Sequence, residues 1–278
     1  MSAYIANLVV IVGLNVVFAL GLNIISGMCG QVSLGHAAFI GIGAYCAGLL
    51  AKLAWPMWAT VPAAGLAGAV LGVLVGLVAL RVRHDFLAIA TMGVGFVFVG
   101  FVRKQEWLGA EMGLASIPEP GVSPTIFAVI VLALVALSLL LSLQIARSWV
   151  GFSFQAIADD EDVVNMMGIS VTRHKLLAFA LGTLLAGLAG GLYAHYTRFV
   201  APDSFGFLLS ISVLSMVVIG GVGSTLGVLT AAILLSLLPE LFRPINDYKL
   251  VVYGLLLLGM MRFAPGGLAG LVRARLQS

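Results

Sequence analysis

The sequence predicts an all-α, polytopic helical membrane protein with about 8 to 10 transmembrane segments, each needing about 20 mostly apolar residues, and one short cytoplasmic helix among them. Three observations predict it. Of the 278 residues, 62% are hydrophobic and 9% are charged, whereas a soluble domain carries about 25% charged residues. The apolar residues come in continuous runs, not in the alternating segments of about 10 residues that mark a membrane β-barrel. A helix pairs its backbone groups internally and can therefore cross lipid. Last, four of the 11 acidic residues stand in a row, Asp159, Asp160, Glu161 and Asp162, with long apolar runs on both sides.

The expected spans, in order, are 4–25, 33–52, 58–80, 86–102, 124–146, 176–196, 208–222, 225–242 and 248–262. No positive n-region precedes the first run, since the first permanent cation is Lys52. It reads as a retained span, not as a secretory signal. Segment 33–52 follows "SGMCGQVSLG", whose glycines and polar residues can break a helix in mid-membrane. Gly68, Gly72 and Gly76 are spaced by four, and Gly187 and Gly191 repeat that spacing. Small residues at this interval let a neighbouring backbone approach closely, which predicts a tightly packed bundle. The runs 208–222 and 225–242 are divided by "GGVGS" and each is short. Pro56, Pro118, Pro120, Pro124, Pro202, Pro244 and Pro265 fall at run ends, where they remove no internal helix bond. Residues 1–278 thus read as a single transmembrane domain, with 147–175 as a cytoplasmic loop within it. With nine crossings, the acidic side holds Arg81, Arg83, Arg147, Arg173, Lys175, Arg262, Arg273 and Arg275. The other side holds Lys52, Arg103, Lys104, Arg198, Arg243 and Lys249. The bias is small and has the sign of a cytoplasmic acidic loop and C-terminus.

The chemistry-bearing residues exclude more than they include. An intramembrane enzyme needs acids, bases or metal ligands within its spans, where they are costly and mark function. His36 and His195 are far apart, and no HExxH motif accompanies them. Cys29 and Cys46 form no CxxC pair and read as small packing residues. "GGVGST" at 220–225 has the glycines of a phosphate loop but not its lysine. Asp85, Asp203, Glu240 and Asp247 fall at span ends, which weighs against an ion-coupled secondary transporter. That class stays open, because broken helices can bind sodium through carbonyls. The net charge of +3 belongs mainly to loops and implies no nucleic-acid partner. What remains is a solute pathway whose energy is supplied elsewhere. Its best candidate is 23–45, where Gln31, Ser33 and His36, with Asn23 and Ser26, lie beside apolar runs. Non-helical backbone at that depth must be covered by protein or line a cavity. A cavity is the expectation here, and a polar loop between two ordinary helices is the alternative. In the acidic loop, Phe152, Phe154, Ile157, Val163, Val164, Met166 and Met167 surround the four acids, and Gly168 can end the helix. Such a helix, over about 155–168, needs a cover: the protein's own loops or a soluble partner.

With these stretches in view, nearly the whole chain resembles the permease subunits of branched-chain amino acid ABC importers, the LivM type, with LivH as the sister branch. The motifs are "SGMCGQVSLGHAAFIGIGAY", "AIADDEDVVNMMGISVTRHKLLAFALGTLLAGLAGGLYA" at 156–194 and "FAPGGLAGL" at 263–271. The resemblance implies a non-enzymatic permease in the bacterial cytoplasmic (inner) membrane, surrounded by lipid. It implies a second, LivH-like permease, ABC ATPase subunits that bind the ATP, and a periplasmic or lipid-anchored substrate-binding protein. No cofactor is then expected in this chain. The acidic loop becomes the coupling helix, with Ala156, Asp159, Asp160, Glu161 and Gly168 as the ATPase contact. The implied cargo is a branched-chain or related apolar amino acid; similar permeases carry urea, short amides or aromatic acids. This sequence departs from the family pattern at Val228, where a proline usually follows the glycine. It departs again over Leu108 to Leu114, which replaces "TGGxxGL", and it is expected to lack the extra N-terminal spans of longer LivM relatives.

Overall fold

An apolar run placed in lipid has to pair its own backbone, and each expected run holds a helix over most of its described residues. A computed structural model describes residues 3–79, 84–241, 249–263 and 266–270. Arg81, Arg83, Arg243, Arg273 and Arg275, with Pro244, Asp247 and Pro265, lie outside these. Helix α1 spans Ala3–Leu22 and runs on into a π-helical turn, Asn23–Met28. Then come α2 (His36–Lys52), α3 (Met57–Ala79), α4 (His84–Lys104) and α5 (Pro124–Arg147). Two short helices follow, α6 (Trp149–Asp159) and α7 (Glu161–Met166). The rest are α8 (Val171–Thr197), α9 (Phe207–Gly220), α10 (Thr225–Leu241) and α11 (Lys249–Phe263). Among the described residues the only β contact is the isolated bridge Leu114–Val200. Among the described residues, six helical segments are long and apolar enough to cross a membrane, and three further apolar helices, within α2, α10 and α11, are shorter. The protein is a multi-pass helical membrane protein.

Long-range contacts show that the spans alternate in direction. Tyr4 at the start of α1 donates to Glu240 near the end of α10, at 3.0 Å. Arg103 at the end of α4 pairs with Asp203 just before α9. Thr60 near the start of α3 bonds His195 near the end of α8. All of these lie at one end of the bundle. Ser142 near the end of α5 meets Thr225 at the start of α10, 3.2 Å away, at the opposite end. That second end also carries α6 and α7, and it is called here the acidic end.

The centre is α8, packed between α2 and α3 with backbones in contact. A Cβ on Gly68 would lie 2.6 Å from the Thr183 carbonyl oxygen, and one on Gly187 would lie 2.4 Å from that of Ala64. The glycines spaced by four do line the α3–α8 contact, as their spacing predicts. Helix α1 is also interior, while α4 turns Phe96, Val97 and Phe101 outward, toward what would be lipid. Tyr45 ties the far end together by donating to the Val200 carbonyl at 3.0 Å.

Two differences from expectation bear on the site. Helix α8 starts at Val171, not 176, because Lys175 is buried inside it and paired with Glu161. The single helix expected over 155–168 is two helices that break at Asp160.

Candidate functional site

The break at Asp160 has a local cause. Its backbone is extended (φ −159°, ψ 110°), and its carboxylate accepts from the Asp162 and Val163 amides at 2.9 and 3.1 Å. That satisfies two orphan donors at the start of α7 and sets an anion on the positive end of its dipole. Ser148 starts α6 in the same way, accepting from Gly151 N–H at 3.3 Å. Gly168, at φ +80°, follows α7 in the left-handed conformation that suits glycine. Of the five residues assigned to this loop, Asp160 and Gly168 therefore build the turn geometry. Glu161 holds Lys175 of α8, Ala156 is half-buried and Asp159 is exposed. Lys175 was not singled out by sequence reasoning, although a lysine five residues into the helix that crosses the membrane was the available signal.

The apolar residues of the loop divide by face. Phe154, Ile157 and Val164 pack onto the bundle, being 0 to 3% exposed. Phe152, Val163, Met166 and Met167 point away from it, and the two methionines are 87% and 73% exposed. The loop thus supplies its own cover on one side and leaves the other bare, flanked by the exposed carboxylates of Asp159 and Asp162. Replacing Asp160 by alanine should cost α7 about 1 kcal/mol, seen as roughly fivefold faster amide exchange over 161–167. Unchanged exchange there would show that the cap does not hold the helix.

The second candidate is the broken stretch between α1 and α2. Residues 29–35 carry no helix, and α2 begins at His36, beside Gly21 and near the middle of α8 at Gly182. The exposed backbone that a break creates is satisfied by side chains. Ser26 Oγ donates to the Gln31 carbonyl at 2.9 Å and accepts from Ser33 N–H at 3.3 Å. Leu34 N–H donates to Thr91 Oγ1 of α4, and Ala37 N–H to Ser210 Oγ of α9, each at 3.0 Å. Gln31, Ser33 and His36 are at most 1% exposed. Residues 29–35 are therefore non-helical, and within this chain α4 and α9 close over the break. Thr91 and Ser210 were missed in the sequence, where isolated hydroxyls in apolar runs carry no pattern.

At the acidic end the two candidates meet. Gly30, at φ +69°, lies so close to Ala158 of α6 that an added Cβ would be 2.9 Å from the Ala158 Cα and Cβ. Asn23 Oδ1 accepts from Gly223 N–H in the turn between α9 and α10, at 3.1 Å. A cavity of about 280 Å3 opens beside this junction, lined by Gly27, Gln155, Ala158, Asp159, Gly223 and Ser224 among others.

Comparison with known proteins bears on what such an arrangement serves. The family described as branched-chain amino acid transport system / permease component matches residues 4–261. The LivM permease proteins of the high-affinity branched-chain amino acid transport systems of Salmonella typhimurium and Escherichia coli K12 are each 34% identical to this chain, over 94% of it and 69% of their own length. LsrC, the autoinducer 2 import system permease protein of Enterobacter sp. strain 638, is 30% identical over 70% of this chain and 59% of its own length. No solved structure matches.

Proposed function

The chain belongs to the branched-chain amino acid transport permease family, and from that premise we propose that it is a transmembrane permease subunit of an ATP-driven importer in the bacterial inner membrane. Its cargo is a branched-chain or related apolar amino acid. ATP is bound and hydrolysed by separate ATPase subunits seated on the loop of α6 and α7, a second LivH-like permease completes the pathway, and an external binding protein delivers the substrate. One observation supports this most: the bare face of α7. Two neighbouring methionines at 87% and 73% exposure, flanked by carboxylates outside any apolar span, suit a soluble partner better than lipid. The nearby chain then converts closure of the ATPases into alternating access.

The test co-expresses the cognate ATPase subunit with the Met166→Glu/Met167→Glu variant, which alters only exposed side chains. Co-purification should fall about tenfold, as it does when anchors at an interface centre are removed, while the permease's own thermal midpoint stays the same. ATPase recovery equal to the parent's would reject the docking assignment. Asp160 and Glu161 suit this experiment less well, since both hold the loop together. LsrC favours a second reading, a non-amino-acid cargo. A panel of leucine, valine, phenylalanine, urea and autoinducer 2 titrated against the partner binding protein separates the two readings.

A further inference from the structure

The broken segment touches the rest of the protein at two unusually close contacts, both made by glycine. At its lower end Gly30 rests on Ala158, the penultimate residue of α6 and two before the Asp160 break. At its upper end a Cβ on Gly35 would fall 2.0 Å from the Thr91 carbonyl oxygen of α4. Between those points the chain is braced against bending. Ser26 Oγ bridges the Gln31 carbonyl and Ser33 N–H, and the Gln31 side chain donates to the Cys29 carbonyl at 3.2 Å. The top is pinned twice more, by Leu34 N–H on Thr91 and Ala37 N–H on Ser210.

We infer that residues 30–35 are a rigid strut that carries motion of the α6–α7 loop to mid-membrane, with Thr91 and Ser210 as the positioning residues that receive it. The inference rests on the permease reading above and says where within this chain the coupling runs. The surroundings suit transmission. Packed interiors resist compression and pass strain onward, and the glycine contacts at both ends leave little slack. The cavity beside Ala158 gives the lower end room to move. The buried Asn23 Nδ2 next to it has no hydrogen-bond partner here, a donor left for a second arrangement of the turn at Gly223. The receiving helix α4 is lightly held, with only 17% of its span buried within this chain, so a push at Thr91 meets little resistance.

The experiment reconstitutes the complete importer in proteoliposomes and measures ATPase co-purification, ATP hydrolysis and leucine uptake together. Thr91→Val removes the acceptor for Leu34 N–H at constant shape, Ser210→Ala removes the one for Ala37 N–H, and Thr91→Ser keeps the hydroxyl. The first two should assemble and hydrolyse ATP within about twofold of the parent while leucine uptake per ATP falls roughly tenfold, within the usual range of coupling between sites. Thr91→Ser should restore the ratio, which a merely structural loss at Thr91 would not require. Uptake per ATP within about twofold of the parent in both Thr91→Val and Ser210→Ala overturns the strut. A parent complex that holds no ATPase subunit, or takes up leucine without ATP, would strike the permease reading itself and the strut with it.

Discussion

Replacing Gly190 by leucine is expected to abolish folded protein. Even a single Cβ at this position would lie 2.0 Å from the Ile40 carbonyl oxygen and 3.1 Å from the Ala44 amide nitrogen. The obstacle is the backbone of α2, which cannot rotate aside as a side chain can. Overpacking a core by a methylene or two costs about 1 to 3 kcal/mol, and a leucine here forces the two central helices apart along their whole contact. The same interface carries Gly43 on Gly187, with 2.3 Å between an added Cβ and the carbonyl oxygen, so separation at one point opens both. The readout is the yield of monodisperse protein in size-exclusion chromatography. Gly254→Ala is the control, because nothing lies within 4 Å of a Cβ there and alanine is the better helix former by about 1 kcal/mol. Recovery of Gly190→Leu at the level of Gly254→Ala would mean that α2 and α8 are not in direct contact.

The second large effect is at Lys175. Its side chain is 9% exposed and that of Glu161 is 21% exposed. Lys175→Met keeps the stem and removes the ammonium, so the partly buried Glu161 carboxylate loses this ion pair. Breaking a buried pair from one side costs about 3 to 5 kcal/mol; with Glu161 a fifth exposed, about 2 to 3 kcal/mol is expected. Adding Glu161→Gln should recover more than half of that loss, because the carboxylate charge that Lys175 balanced goes with it. Denaturation midpoints of the two variants decide the matter. Equal loss in single and double variants would show that Lys175 contributes through packing and not through charge. The pair also fastens the start of α7 to α8, so on the proposed docking the single variant should lower ATPase co-purification as well as stability.

How much of this was legible beforehand follows from the range over which each signal acts. The nine apolar runs were readable because an uninterrupted stretch in lipid has no alternative to the helix. Gly68, Gly72 and Gly76 were readable as a packing face because their spacing is helical, although their partners, Thr183, Gly187 and Leu176, were not. The acids at 159–162 were visible as a group, yet their individual roles were not. Asp160 caps a helix start, Glu161 binds a lysine, and Asp159 and Asp162 stay exposed. One sequence pattern contained three different jobs. Gln31, Ser33 and His36 were rightly placed at a break, but whether α4 and α9 would cover them depended on Thr91 and Ser210, distant hydroxyls with no local signature.

The sequence by itself determined that this is a helical membrane protein, where its apolar runs lie and that a helix breaks within 23–35; its resemblance to known permeases gave the family. The first three are set by composition and short-range pattern, which act within one or two helical turns. Tertiary structure alone decided that Gly30 rests on Ala158, that Lys175 is buried against Glu161, and that the interruption is clothed by protein. Each of these depends on helices far apart in the chain meeting at one depth and angle. Close approach of glycine-faced backbones fixes that meeting, and no residue announces its partner.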